Sequence, residues 1–423
     1  MITLLVIADF HLHSRYSRAT SKEMNLENLA SYAKLKGINL LGTGDFTHPL
    51  WLRELKQKLV PVEGSGLFSY KETLFMLTAE VSTIYEQGGK LRRIHHLIHL
   101  PGFEEVDQLN SELSKRGNLA IDGRPILRRL TSPELVEMVH QTCKDAFVVP
   151  SHAWTPWYSL FGSASGFDSI QDCYQDQLKH IFAIETGLSS DPPMNWRLTQ
   201  LDEFALLSSS DSHSPWNWRI GRETNVFELE KVTYWEIRSA IRERDPKRFL
   251  FTIEVDPSYG KYHYDGHRAC SVSLEPREAM RRGNLCPRCG GKLTIGVLHR
   301  VEELADRDPG FTPSNATPFK KLLPLYEIIS YVTGARKLYS REVIEEQERL
   351  IRAFGNELKV LLEVPEEELK GHTSERIAKA IVAVREGKVE VIPGYDGVYG
   401  EPVFFGEKRE RKKFPIQKTL MDF

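Results

Sequence analysis

Seven times in the first 250 residues, a short apolar run ends in side chains able to hold a metal, and helical stretches lie between several of the runs. Residues 4–8 run into Asp9, His11 and His13, and residues 38–42 into Asp45 and His48. Residues 74–78 run into Glu80, while 94–100 carries His95, His96 and His99 within the run. Residues 147–150 lead to His152, 181–184 to Glu185, and 204–208 to Asp211 and His213. Runs of this length predict strands, and the periodicity of 25–36, 132–143 and 234–244 predicts helices. The recurring unit predicts an α/β chain folded as a parallel β/α barrel, whose strand ends converge on one face. One histidine at a strand end is an ordinary core or surface histidine more often than a ligand. Ligand-type side chains at nearly every strand end are not.

The texture changes after Asp256. Residues 259–293 are rich in Tyr, His, Arg, Gly and Cys with little periodicity, as in a small metal-stapled module. Helical pattern returns at 322–332, 340–354 and 366–386, and the chain closes on a charge run and a short amphipathic tail. The divisions are a barrel over 1–250, a zinc-binding domain over 251–300, a helical region over 301–405 and a flexible tail over 406–423.

Composition narrows the class. With 41% hydrophobic and 27% charged residues, a folded core is expected and disorder is not. No apolar run approaches the ~18 residues of a membrane span. The first residues lack the basic stretch of a secretory signal, so a cytoplasmic protein is expected. A net charge of −2 gives no bulk basic field, leaving any nucleic-acid contact to local patches. The scarcity of Asn and Gln leans toward a thermophilic source.

His11 and His13 form an HxH just past a strand, so alternation puts both imidazoles on one side, where one cation can accept both. Asp211 and His213 repeat the spacing with a carboxylate. Glu80 is suited to bridging two cations, His96 and His152 to completing a second shell, and Asp45, with His48 nearby, to holding a third. Of His95 and His96, alternation lets only one face inward. Donors of this kind without Cys favour zinc, manganese or iron. Clustered cations make hydroxide from water and clamp both oxygens of an in-line phosphoryl displacement.

HLHSRYSR, GTGDFTH, TAEVS, HHL, PSHAW and SDSH together resemble the motif series of the PHP (polymerase and histidinol phosphatase) superfamily over about the first 240 residues. The resemblance implies a distorted seven-stranded barrel with two or three divalent ions: zinc, manganese, iron or magnesium. It implies His11, His13, Glu80 and Asp211 at one ion and Glu80, His96 and His152 at the second. His213 and Asp45 would serve the third, with Asp45 standing where the family usually has a histidine. The alignment of HHLIHLP favours His96 over His95. Arg15 and Arg18 are placed to meet phosphate, against the plain reading of a surface arginine pair. Glu185 and Asp191 are candidates for a base or an outer carboxylate, so Asp191, Glu185 and Arg15 form the catalytic expectation.

His267, Cys270, Cys286 and Cys289 make two chelating pairs fifteen residues apart, a closed four-ligand set expected to hold a structural zinc rather than a redox pair. His263 is the rival of His267. Lys261, Arg268, Arg277, Arg281, Arg282, Arg288, Lys292 and Arg300 surround the set and would suit phosphate contacts. Trp154, Trp157 and Trp216 lie in loops beside the metal motifs and could stack a displaced base, or simply pack those loops. Gln417, Leu420 and Phe423 share one face of a helical turn and resemble the peptide that binds the PCNA sliding clamp.

The whole order (barrel, HxxC…CPxCG module, helices, clamp-binding tail) is similar to the endonuclease Q family of archaeal DNA repair enzymes. That implies hydrolysis of the phosphodiester 5′ of hypoxanthine, uracil, xanthine or an abasic site in DNA. A phosphatase of small monoesters would leave the zinc module and tail idle. A non-enzymatic adaptor would not need the near-complete ligand set.

Overall fold

The computed structural model describes residues 3–335 and 337–406. Each of the seven apolar runs contains or forms a strand: β1 (Leu4–Asp9), β2 (Leu40–Gly42), β3 (Thr73–Gln87), β4 (Lys90–Leu100), β5 (Phe147–Pro150), β6 (Ala183–Glu185) and β7 (Ala205–Leu207). They follow one another around a distorted barrel. β1–β2, β2–β3 and β6–β7 are parallel. The ring closes where Leu12 bridges Ser212, with the His13 N–H donating to Ser212 O at 3.1 Å.

An all-parallel barrel was expected, and β4 departs from it. β3 and β4 form an antiparallel hairpin in register from Leu77–Leu100 to Gln87–Lys90, and β4 also runs antiparallel to β5. The cause is local. Gly88 and Gly89 both take positive φ (63° and 69°), which a two-residue turn matching strand twist requires and side chains resist.

Inward side chains of the strands fill the barrel. Ala8, Leu40, Met76, Leu97, Val149, Ala183 and Ala205 belong to one buried cluster. Helices cover the outside, with ends written in the sequence. The helix Leu26–Lys36 starts on the Asn25 side chain and stops at Gly37, φ 98°. Ser132–Thr142 starts with a capping box between Thr131 and Glu134.

The sheet continues past the boundary expected at residue 250. β8 (Thr224–Leu229) pairs antiparallel with β1, β9 (Phe249–Glu254) with β8, and β10 (Phe319–Lys321) lies parallel to β9. The Cys/His module carries the hairpin Asp265–His267/Val272–Leu274. Helices Leu325–Thr333, Arg341–Phe354 and Glu357–Leu362 follow. The run expected at 366–386 is two helices, Glu366–Lys370 and Glu375–Arg385, because Ser374 caps a new start. A last hairpin, Glu390–Ile392/Glu401–Val403, returns the chain to the Cys/His module through Tyr395 and Asp396. No helix among the described residues is long and apolar enough to cross a membrane.

Candidate metal centre

Glu80, wholly buried on β3, sits between two groups of donors. Its Oε2 lies 3.5 Å from His13 Nε2, which is 3.0 Å from Asp211 Oδ1. Its Oε1 lies 3.0 Å from His95 Nδ1 and 3.1 Å from His152 Nε2. His11, His13 and Asp211 thus form one candidate metal-binding group, and Glu80, His95 and His152 another. His11 Nε2 is 3.6 Å from Glu80 and 3.5 Å from Asp211, buried and without a hydrogen-bond partner. His95 Nδ1 and His152 Nε2 face each other at 3.2 Å. An orphaned ring nitrogen and two facing ring nitrogens around one carboxylate fit a pair of divalent cations.

The outward ring nitrogens of His11, His13 and His152 each have an oxygen partner, which leaves the inward ones to a metal once any proton there is displaced. Both Glu185 oxygens lie 3.0 Å from His11 Nδ1, and Glu185 also accepts the His152 backbone N–H at 2.9 Å. Asp45 Oδ1 is 3.1 Å from His13 Nδ1, and Thr155 Oγ1 is 2.9 Å from His152 Nδ1. A carboxylate behind an imidazole fixes its tautomer and raises its basicity. Burial lowers the His11 and His13 pKa values, but the surrounding carboxylates outweigh it and raise both well above the usual range. Burial wins at His95 and pushes it down to about 3. Asp45, His152 and Asp211 all hold positive φ (49°, 32° and 46°), a conformation that costs energy outside Gly and is met at functional sites.

The sequence expectation of His96 is corrected by register. Glu80 pairs with Leu97 and Ser82 with His95, so His95 shares the face of Glu80, while His96 opposes Val81 on the other face. There His96 meets Tyr174 OH at 3.0 Å and Thr83 Oγ1 at 3.1 Å.

Two solved structures match almost the whole chain. The lesion-specific endonuclease PfuEndoQ from Pyrococcus furiosus superposes with TM-score 0.85 at 36% identity, covering 94% of this chain and 95% of that one. The chain belongs to the endonuclease Q family. An endonuclease Q bound to a 27-mer duplex with an abasic lesion at its active site gives TM-score 0.83 at 37% identity, covering 94% of this chain and 96% of the other. Residues 324–388 match the family model described as the MJ0043 C-terminal domain. Protein MJ0043 of Methanocaldococcus jannaschii is 35% identical over 280 residues, 64% of this chain but only 34% of that protein's length. Protein YqxK of Bacillus subtilis is 29% identical over 411 residues, 94% of this chain and 98% of YqxK.

In this endonuclease Q family member, several expected residues lie outside the two donor groups. Asp45 accepts from Ser14 N–H and Ser14 Oγ, each at 2.6 Å, and from Ser17 Oγ at 2.8 Å, besides facing His13. His213 packs its ring 4.5 Å from His13 and turns Nδ1 to the Asp211 carbonyl. Asp191 caps a short helix and pairs with Lys321 at 2.8 Å. Arg15 pairs with Glu54, and Arg18 lies 3.5 Å from Asp122. Trp154 is buried, donates to Asn195 Oδ1 at 2.8 Å and packs on Phe161, so it is a core tryptophan. Trp157 is 46% exposed, and Trp216 stacks with Trp218.

His267, Cys270, Cys286 and Cys289 place one donor atom each within 4.8 Å of one another. Gly290 takes φ 71° to form the knuckle, with its N–H on Cys286 O. Burial raises the Cys286 thiol, but the Arg288 and Cys289 N–H groups lower it to about 6, toward the thiolate a metal needs. His263 lies apart from this set, its acidic neighbours being Asp256 and Asp191. Of the basic side chains around the module, Arg277, Arg282 and Arg300 are engaged with acidic partners. The sequence reading missed Arg124, whose Nη1 is 3.0 Å from Glu80 Oε2. Gln417, Leu420 and Phe423 lie outside the described residues.

Proposed function

We propose that this protein nicks DNA at a damaged nucleotide, hydrolysing the phosphodiester 5′ of a deaminated base (hypoxanthine, uracil or xanthine) or an abasic site. The observation that carries the proposal is the Glu80-bridged pair of donor groups within a chain similar end to end to a lesion-specific endonuclease. DNA as partner is supported by the likeness to the endonuclease Q complex with a lesion-bearing duplex.

His11, His13 and Asp211 would hold one ion, and His95 and His152 the other, with Glu80 between them. Zinc, manganese, iron or magnesium there would activate a water and neutralise charge on the phosphate. Glu185 and Asp45 keep the His11 and His13 rings aimed inward. Exposed Trp157 and half-buried Trp216, in loops following His152 and His213, would stack a base turned out of the helix. Asp191, paired with Lys321, and Arg15, paired with Glu54, are better suited to holding loops than to proton transfer. The Cys/His set would carry a structural zinc. The tail with Gln417, Leu420 and Phe423 would recruit the PCNA clamp, in a protein working in the cytoplasm.

The test uses end-labelled duplexes carrying deoxyinosine, deoxyuridine, an abasic site or no lesion, with Mg²⁺ or Mn²⁺. A single cut 5′ of each lesion, absent from the control and abolished in Asp211→Ala, is expected. Release of phosphate from small monoesters with no cut in any duplex would overturn the proposal in favour of a phosphatase.

A further inference from the structure

Asp45 occupies the place where the sequence motifs suggest a third cation, yet its carboxylate has nothing left to offer one. His13, the Ser14 N–H, the Ser14 hydroxyl and the Ser17 hydroxyl together satisfy about the four positions a carboxylate presents. The backbone closes over it as well. A Cβ built on Gly123 would collide with Asp45 Oδ2 and with Ser17 Oγ. Gly123 itself is tied down, its N–H donating to Tyr16 O and its carbonyl accepting from Thr47 Oγ1, at 3.0 Å each.

The residue after this glycine is Arg124. Its Nη1 lies 3.0 Å from Glu80 Oε2, the oxygen that also faces His13, and Asp211 is another acidic neighbour. The Arg124 side chain is 26% exposed whereas Glu80 is 0% exposed, so Arg124 reaches from the surface to the buried donors. Asp122 accepts the Arg124 N–H at 3.2 Å and the Arg18 N–H at 3.1 Å, which fixes the loop that carries the guanidinium. A guanidinium keeps its charge at any working pH and offers a planar fork matched to phosphate oxygens.

We infer that the barrel takes two divalent ions, and that Arg124 serves as the third cationic group and grips a non-bridging oxygen of the scissile phosphate. This rests on the reading that the donor groups hold metal for phosphodiester hydrolysis. Among the described residues the side-chain hydrogen bond of Arg124 is the one from Nη1 to Glu80, so its remaining N–H groups would serve the phosphate. A fixed cation at this point stabilises charge on the phosphate without competing for the water that the ions hold.

Two measurements test it, neither of which needs a nicking reaction. Anomalous scattering from crystals grown with Mn²⁺ should show two ions in the barrel, one on each side of Glu80. A third ion on Asp45 or His213 would overturn the inference. Calorimetric binding of inorganic phosphate to the metal-loaded protein should weaken about ten- to hundredfold in Arg124→Ala, with two barrel ions retained and part of the affinity restored in Arg124→Lys. Unchanged phosphate affinity in Arg124→Ala, or loss of an ion from that variant, would equally overturn it. If phosphate binding behaves as expected but lesion duplexes are not cut, the endonuclease reading fails while Arg124 stands as a phosphate-binding residue beside the two ions.

Discussion

Glu80 Oε1 and His95 Nδ1 meet at 3.0 Å across a hairpin in which His96, one residue on, faces the opposite way. Neighbouring histidines on a strand therefore have separable roles. His95→Gln should remove one barrel ion and lower lesion cutting by at least about a hundredfold with the fold retained. His96→Ala should keep both ions and instead lower unfolding stability by roughly 1–3 kcal/mol, because Tyr174 OH and Thr83 Oγ1 lose a buried partner. Metal analysis beside urea denaturation separates the two.

Glu185 touches His11 and the His152 backbone. Glu185→Gln keeps the shape but weakens the hold on the His11 tautomer. Metal affinity should fall about 10- to 100-fold, read by chelator competition, and added metal should restore much of the activity.

His11 and His13 are raised well above the ordinary histidine range by their carboxylate neighbours. Without metal they therefore carry protons at neutral pH, and an ion must displace them to bind. Affinity should rise with pH, by up to about tenfold per unit for each proton released. Titrations of metal-free protein at pH 6, 7 and 8 would show this. A flat profile would mean that neither ring releases a proton on metal binding.

Lys36 and Glu357 form a buried ion pair at 2.7 Å between a barrel helix and the C-terminal helices. Glu357 also accepts from Asn217, Gln347 and the Leu325 N–H. Glu357→Ala strands the lysine and three other donors, so a loss of about 3–5 kcal/mol in stability is expected, measured by denaturant unfolding. Lys36→Met together with Glu357→Met should lose less, because no buried charge is left unpaired.

The Gly88-Gly89 turn was legible in the sequence as a hairpin signal, and reading it would have made β4 antiparallel. Even so, it would not have chosen between His95 and His96. That choice depends on which residue of β4 lies opposite Glu80, and a slip of one residue reverses every side chain of the strand. Trp154 and Trp157 look alike in the sequence, three residues apart in one loop, yet Asn195 and Phe161 claim the first while the second stays at the surface.

What the sequence by itself determined was local: the seven apolar runs, the helical stretches at 25–36 and 132–143, the HxH and DSH pairs, and the Cys/His set. Each rests on neighbours within a few positions, where backbone preference and side-chain alternation act directly. What only the tertiary structure decided was pairing across long stretches of chain. His95 rather than His96 at Glu80, Glu185 behind His11, Asp45 filled by serines, and Arg124 beside Glu80 all join residues from different strands and loops. Those contacts depend on register and on how loops close over the barrel, and neither leaves a periodic trace in the chain.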